Sequence, residues 1–188
     1  MVEPVAAPAR RSKLYTMTAT AVMAAVTCVL APLALPIGPV PISLTNLAIY
    51  FSLYLLGWKA GTVGYLVYLR LGLFGAPVFA GFTAGAGRLL GPTGGYIIGF
   101  LPMAVIGGLA IERSQKRAVH FAGMALGTLV CYVLGTAWFC HVADMAPISA
   151  LSLAVFPFIP GDIGKIVLAM LIGPTLRERL QKAGMLTN

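Results

Sequence analysis

Charge is what this sequence has least of. Only 10% of its 188 residues are Asp, Glu, Lys or Arg, and just five are acidic. Soluble domains carry about 25% charged residues. No charged residue or histidine occurs from Leu14 to Trp58, from Leu89 to Ile111, from Phe121 to Cys140, or from Ile166 to Leu176. Such gaps exclude an ordinary water-soluble domain. Cysteine is sparse too: Cys28, Cys131 and Cys140 are odd in number, lack C-x-x-C spacing and sit in apolar runs. They read as small packing residues, with no disulfide framework and no metal site indicated. His120 and His141 lie at the ends of apolar runs and form no ligand-spaced pair, which reads as interfacial packing. A membrane protease would need a Ser/His pair or His-E-x-x-His, and neither is present.

What is abundant is apolar surface: 59% hydrophobic residues and a mean hydropathy of +0.92. A membrane-crossing helix needs about 20 apolar residues. The pattern predicts an all-α integral membrane domain over 14–180 with six spans, at about 14–34, 43–58, 60–74, 96–111, 121–142 and 161–177. Pro32, Pro36, Pro39 and Pro41 separate the first two, because proline lacks the N–H that a lipid-embedded helix must satisfy internally. Residues 1–13 and 181–188 read as polar cytoplasmic tails, the first of them disordered. A cleavable signal peptide is disfavoured: the apolar run after Lys13 is long, and Ala31 precedes a proline.

The net charge of +8 does not point to nucleic acid, because the basic residues lie between apolar runs rather than on one polar face. With the N-terminus inside, ten of the 13 basic residues fall on the cytoplasmic side: Arg10, Arg11, Lys13, Lys59, Arg113, Lys116, Arg117, Arg177, Arg179 and Lys182. The positive-inside rule therefore predicts both termini in the cytoplasm of a multi-pass protein of the cell membrane.

Four charges escape that explanation. Asp162 and Lys165 stand in Pro160-Gly161-Asp162-Ile163-Gly164-Lys165, just before an apolar run. At i and i+3 they share a helix face. Ionisable groups inside a span are costly unless they pair, face a cavity or bind something. An ion pair at a helix start and a ligand site are both open readings, and Gly161 and Gly164 leave room for a guest. Arg88 lies in Gly87-Arg88-Leu89-Leu90-Gly91-Pro92-Thr93-Gly94-Gly95-Tyr96. Its guanidinium suits a carboxylate, although a solvated loop charge is the alternative. The glycine run is no phosphate loop, because no G-K-[ST] follows. Arg70 sits towards the outer end of the third span, where it would snorkel. Small residues repeat at four-residue spacing in the first span, as Ala21 with Ala25 and as Thr20, Ala24 and Cys28. Such stripes serve packing inside the bundle or docking on another helix.

Several motifs in order resemble the BioY family, the biotin-specific substrate-capture subunits (S components) of energy-coupling-factor (ECF) transporters. They are Pro39-Val40-Pro41-Ile42-Ser43-Leu44-Thr45-Asn46-Leu47, Pro77-Val78-Phe79-Ala80-Gly81, Gly91-Pro92-Thr93-Gly94-Gly95-Tyr96 and Pro160-Gly161-Asp162-x-x-Lys165. The resemblance covers about 14–180 and implies a six-helix S-component bundle that binds biotin and is not an enzyme. It implies no cofactor. Its implied partners are membrane lipid, a transmembrane coupling protein and two cytoplasmic ATPases, with Ala21 and Ala25 as the docking stripe. In the implied site Asp162 accepts from the ureido N–H groups. Lys165 donates to the ureido carbonyl or to the carboxylate, and Arg88 clamps the carboxylate. Phe79, Phe82 and Tyr96 would form apolar walls, with Asn46 a further polar contact. An S component for another small vitamin is the alternative. The chain departs from the family where Phe82-Thr83-Ala84 follows Gly81, since the family often has Gly or Asn there.

Overall fold

Proline and glycine set where the helices begin and break. The structure, a computed structural model, describes residues 13–35 and 40–183. Residues 1–12 and 184–188, which hold most of the two expected tails, lie outside the described residues, as do Pro36, Gly38 and Pro39. Helix α1 (Lys13–Leu30) stops two residues before Pro32. It is shorter than the expected 14–34. The chain then pairs β1 (Ala34–Leu35) with β2 (Ile42–Ser43) in an antiparallel hairpin that a purely helical expectation did not include. Two-residue strands carry too few side chains to show an alternating pattern.

Helix α2 (Thr45–Leu73) contains both of the next two expected spans. It is broken at Gly57, whose φ of 83° and ψ of 174° are open in practice to glycine alone. The arms are 45–56 and 58–73. Glu112 accepts the Trp58 N–H at 2.8 Å and so caps the second arm with negative charge at its positive dipole end.

The Gly-rich segment from 75 to 95 holds a narrow loop, bridged Phe79 to Thr83, and the short α3 (Gly87–Leu90). Then come α4 (Gly94–Arg113) and α5 (Arg117–Ala143), which pack against each other along their length. A Cβ on Gly135 of α5 would meet the Tyr96 ring of α4, so glycine permits that close approach. The connection to the last span contains a further helix, α6 (Pro147–Ala154), outside the six expected spans. Pro147 opens it and Pro160 lies in the first turn of α7 (Ile159–Lys182), positions where a missing N–H costs nothing.

Among the described residues, four helices are long and apolar enough to cross a membrane: α1, α4, α5 and α7. Leu14, Met17, Val22, Val29, Leu129, Val133 and Leu171 are exposed, whereas Thr20, Asn46, Thr128, Thr136 and Asp162 are buried. An apolar outside around a polar-containing inside is the arrangement lipid requires and water would oppose. The two small-residue stripes of α1 separate accordingly. Thr20 and Ala24 are buried, while Ala21 and Ala25 are exposed.

Candidate ligand-binding site

Five buried polar side chains, Thr45, Asn46, Thr93, Thr128 and Asp162, border one cavity. The space free to the centre of a water-sized guest is about 80 Å³. Aromatic rings dominate the wall: Tyr65, Tyr68, Phe79, Tyr96, Phe100, Tyr132 and Phe158. Asn46, Arg88, Asp162 and Lys165 supply its amide and charged groups.

Asp162 is placed by the first turn of α7 and is 8% exposed. Its Oδ1 accepts from Lys165 Nζ at 3.0 Å and from Asn46 Nδ2 at 2.8 Å. Its Oδ2 accepts from Tyr132 Oη at 2.6 Å. Lys165 Nζ also donates to the Ser43 carbonyl at 2.7 Å and to Asn46 Oδ1 at 3.0 Å. Asn46 Oδ1 accepts the Leu47 N–H as well. One network thus ties α7 to β2, to the start of α2 and to the middle of α5. The ion-pair reading of Asp162 and Lys165 is correct as far as it goes, since they do satisfy each other. They also border the cavity, which an ion pair alone does not explain.

Few of these groups have bonding capacity left for a guest. An ammonium has three N–H donors, and all three of Lys165 are engaged. A carboxylate oxygen has about two acceptor sites, so Oδ2 keeps one beside Tyr132. The Asn46 amide keeps a second N–H.

Arg88 lies on α3 with its guanidinium in the cavity wall. Nε donates to Thr83 Oγ1 at 2.9 Å and Nη2 to the Ala80 carbonyl at 3.2 Å. Of five guanidinium N–H groups, two are engaged, which leaves three for a carboxylate. The bridged loop from Phe79 to Thr83 therefore aims the guanidinium.

Of the expected apolar walls, Phe79 and Tyr96 line the cavity. Phe79 is 1% exposed and meets Tyr68 edge-on, with centroids 5.8 Å apart. Tyr96 Oη bonds to Thr136 Oγ1 at 3.1 Å and to the Ala154 carbonyl at 3.2 Å. Phe82 is a correction: it is 65% exposed and absent from the lining. Its backbone is left-handed, with φ 58°, between Gly81 and Gly85, which also have positive φ. That turn carries its ring away from the wall. Arg70 is exposed in the last turn of α2 and takes no part in the cavity. His120 is buried rather than interfacial, its Nδ1 3.2 Å from Tyr54 Oη and its Nε2 2.8 Å from the Ser114 carbonyl.

Sequence reasoning missed Tyr132, the Ser43 carbonyl and Thr83. Tyr132 was legible in principle. Thr128, Tyr132 and Thr136 recur every four residues in an apolar span and therefore share a face.

An apolar-clad helical bundle with an aromatic cavity and a few aimed polar groups defines a multi-pass membrane protein that holds a small polar solute. A model of the BioY family matches residues 6–182. The chain belongs to the BioY family. It is 38% identical to a biotin transporter of Thermotoga maritima over 147 residues, 78% of this chain and 86% of that protein. It is 35% identical to a biotin transporter of Lactococcus lactis over 172 residues, 91% of this chain and 94% of that one. The fold matches a crystal structure of the S-component for biotin from an ECF-type ABC transporter with a TM-score of 0.82. Identity there is 34%, over 92% of this chain and 95% of that one.

Proposed function

We propose that this chain is the biotin-capturing membrane subunit of an uptake system that a separate ATPase module energises. The observation that carries the reading is the pairing of a network around Asp162 with a separately aimed Arg88 in the wall of one cavity. Biotin has a carboxylate on an apolar tail and a ureido ring with two N–H donors and one carbonyl acceptor. The unfilled groups complement it. Asp162 Oδ2 takes a ureido N–H, Asn46 or an exchanged bond of Lys165 serves the ureido carbonyl, and Arg88 holds the carboxylate. Tyr68, Phe79 and Tyr96 pack against the rings and the tail.

The bundle crosses the cytoplasmic membrane six times, through α1, the two arms of α2, α4, α5 and α7. Neither arm of α2 is long enough alone to qualify by length, but the break at Gly57 reverses the chain where a turn between spans is needed. An even number of spans leaves both termini in the cytoplasm, in agreement with the ten basic residues counted there. The partners are a transmembrane coupling protein and two cytoplasmic ATPases. Ala21 and Ala25 form the docking stripe, supported by their exposure on α1 while their neighbour Ala24 faces inward.

The test is equilibrium binding of radiolabelled biotin to the purified chain in detergent, with other vitamins as competitors. Saturable binding that only biotin and close analogues displace is expected. Displacement by an unrelated vitamin at lower concentration than biotin would assign the cavity to that vitamin instead.

A further inference from the structure

Tyr132 borders two hollows at once. One is the cavity described above. The other is a wider apolar hollow between α5, α6 and α7, lined by residues such as Leu129, Val133, Leu151 and Ile163. The two share only Thr128, Tyr132 and Asp162 in their walls. Along the polar stripe of α5, Thr128 Oγ1 is taken up by Tyr50 at 2.6 Å and the Met124 carbonyl at 2.8 Å, and Thr136 by Tyr96 at 3.1 Å. Tyr132 alone in that stripe reaches a charged group.

We propose that Tyr132 is a specificity-determining residue that positions Asp162 to read an N–H of the ureido ring, an inference that rests on biotin being the ligand. A phenol has one O–H, and that of Tyr132 is committed to Asp162 Oδ2 at 2.6 Å. What the pair presents to the cavity is therefore acceptors only: the lone pairs of Oη and the remaining site on Oδ2. Such a pair rewards a donor and leaves an N-substituted ring facing two unsatisfied oxygens. Without the hydroxyl, Oδ2 would face the apolar hollow unpartnered on that side, and the carboxylate would turn towards Lys165 and Asn46. Tyr132 holds it across the opening between α5 and α7.

The experiment measures competition against labelled biotin in the wild type and in Tyr132→Phe. The competitors are unlabelled biotin, biotin methyl ester and the two derivatives methylated at one or the other ureido nitrogen. Phe keeps the ring that separates the hollows and removes only the hydroxyl. Tyr132→Phe is expected to bind biotin about tenfold more weakly, because the carboxylate, turned towards Lys165 and Asn46, must be brought back to meet the ring at a cost comparable to one hydrogen bond to a charged group. Its discrimination against one of the N-methyl derivatives is expected to narrow by about tenfold, while the ratio of biotin to its methyl ester stays as in the wild type. Unchanged values for every ligand would show that the hydroxyl only packs, and would overturn the inference. An equal fall for every ligand, with all ratios preserved, would show a merely structural role and overturn it too. A wild type that binds no biotin would instead overturn the reading of the ligand, and with it this assignment.

Discussion

Lys165→Ala is expected to reduce biotin binding a hundredfold or more and to destabilise the ligand-free protein by about 3–5 kcal/mol. The magnitude follows from breaking a buried ion pair by removing one member, which leaves the other charge uncompensated. Asp162 is 8% exposed, and alanine would leave its carboxylate with only the neutral donors Asn46 and Tyr132. The Ser43 carbonyl and Asn46 Oδ1 would also lose a donor. The network joins β2, α2, α5 and α7, so its loss loosens the cavity as well as the contact. Thermal unfolding in detergent, with and without saturating biotin, reads both effects. A variant as stable as the wild type would mean that the ammonium is solvated rather than integral to the network.

Arg88→Ala is expected to do something different: weaken biotin binding about a hundredfold while leaving the ligand-free protein nearly as stable as before. Two charge-assisted hydrogen bonds to a carboxylate account for a loss of that size. The bonds Arg88 makes within the protein, to Thr83 and the Ala80 carbonyl, lie in a loop and a short helix rather than between spans. Biotin methyl ester, which has no carboxylate charge, is expected to bind the wild type and the variant almost alike. Arg88→Lys is expected to recover little, because an ammonium cannot reproduce two parallel N–H bonds while also bonding Thr83. Equal losses for biotin and its ester would place the carboxylate elsewhere. Together the two variants separate a group that holds the fold and the ligand from one that holds the ligand alone.

The sequence made some of this site plain and hid the rest, for physical reasons. Asp162 and Lys165 were visible because lipid makes any charge conspicuous, and i,i+3 spacing put them on one face. Arg88 stood out as a basic residue that membrane orientation did not account for. Phe82 misled because an aromatic beside a glycine reads as a wall, and only the backbone reveals the left-handed turn that sends it outward. Tyr132 was overlooked because a tyrosine in an apolar run resembles core. Its partner Asp162 lies 30 residues away in sequence and is brought close only by the packing of α5 on α7. Helix α6 was hidden by the prolines around it, because proline breaks a helix interior but is welcome in a first turn, as Pro147 is. The boundary expected between the spans 43–58 and 60–74 lies beside the break in α2, but the sequence did not reveal that one residue, Gly57, makes the break or that Glu112 caps the arm after it.

The most direct measurement is a structure of the purified chain with biotin bound. The account predicts biotin in the aromatic cavity, with a ureido N–H within hydrogen-bond reach of Asp162 Oδ2 and the carboxylate on the fork of Arg88. Biotin seated in the apolar hollow between α5 and α7, or turned so that its carboxylate meets Lys165 while Arg88 holds nothing, would contradict it.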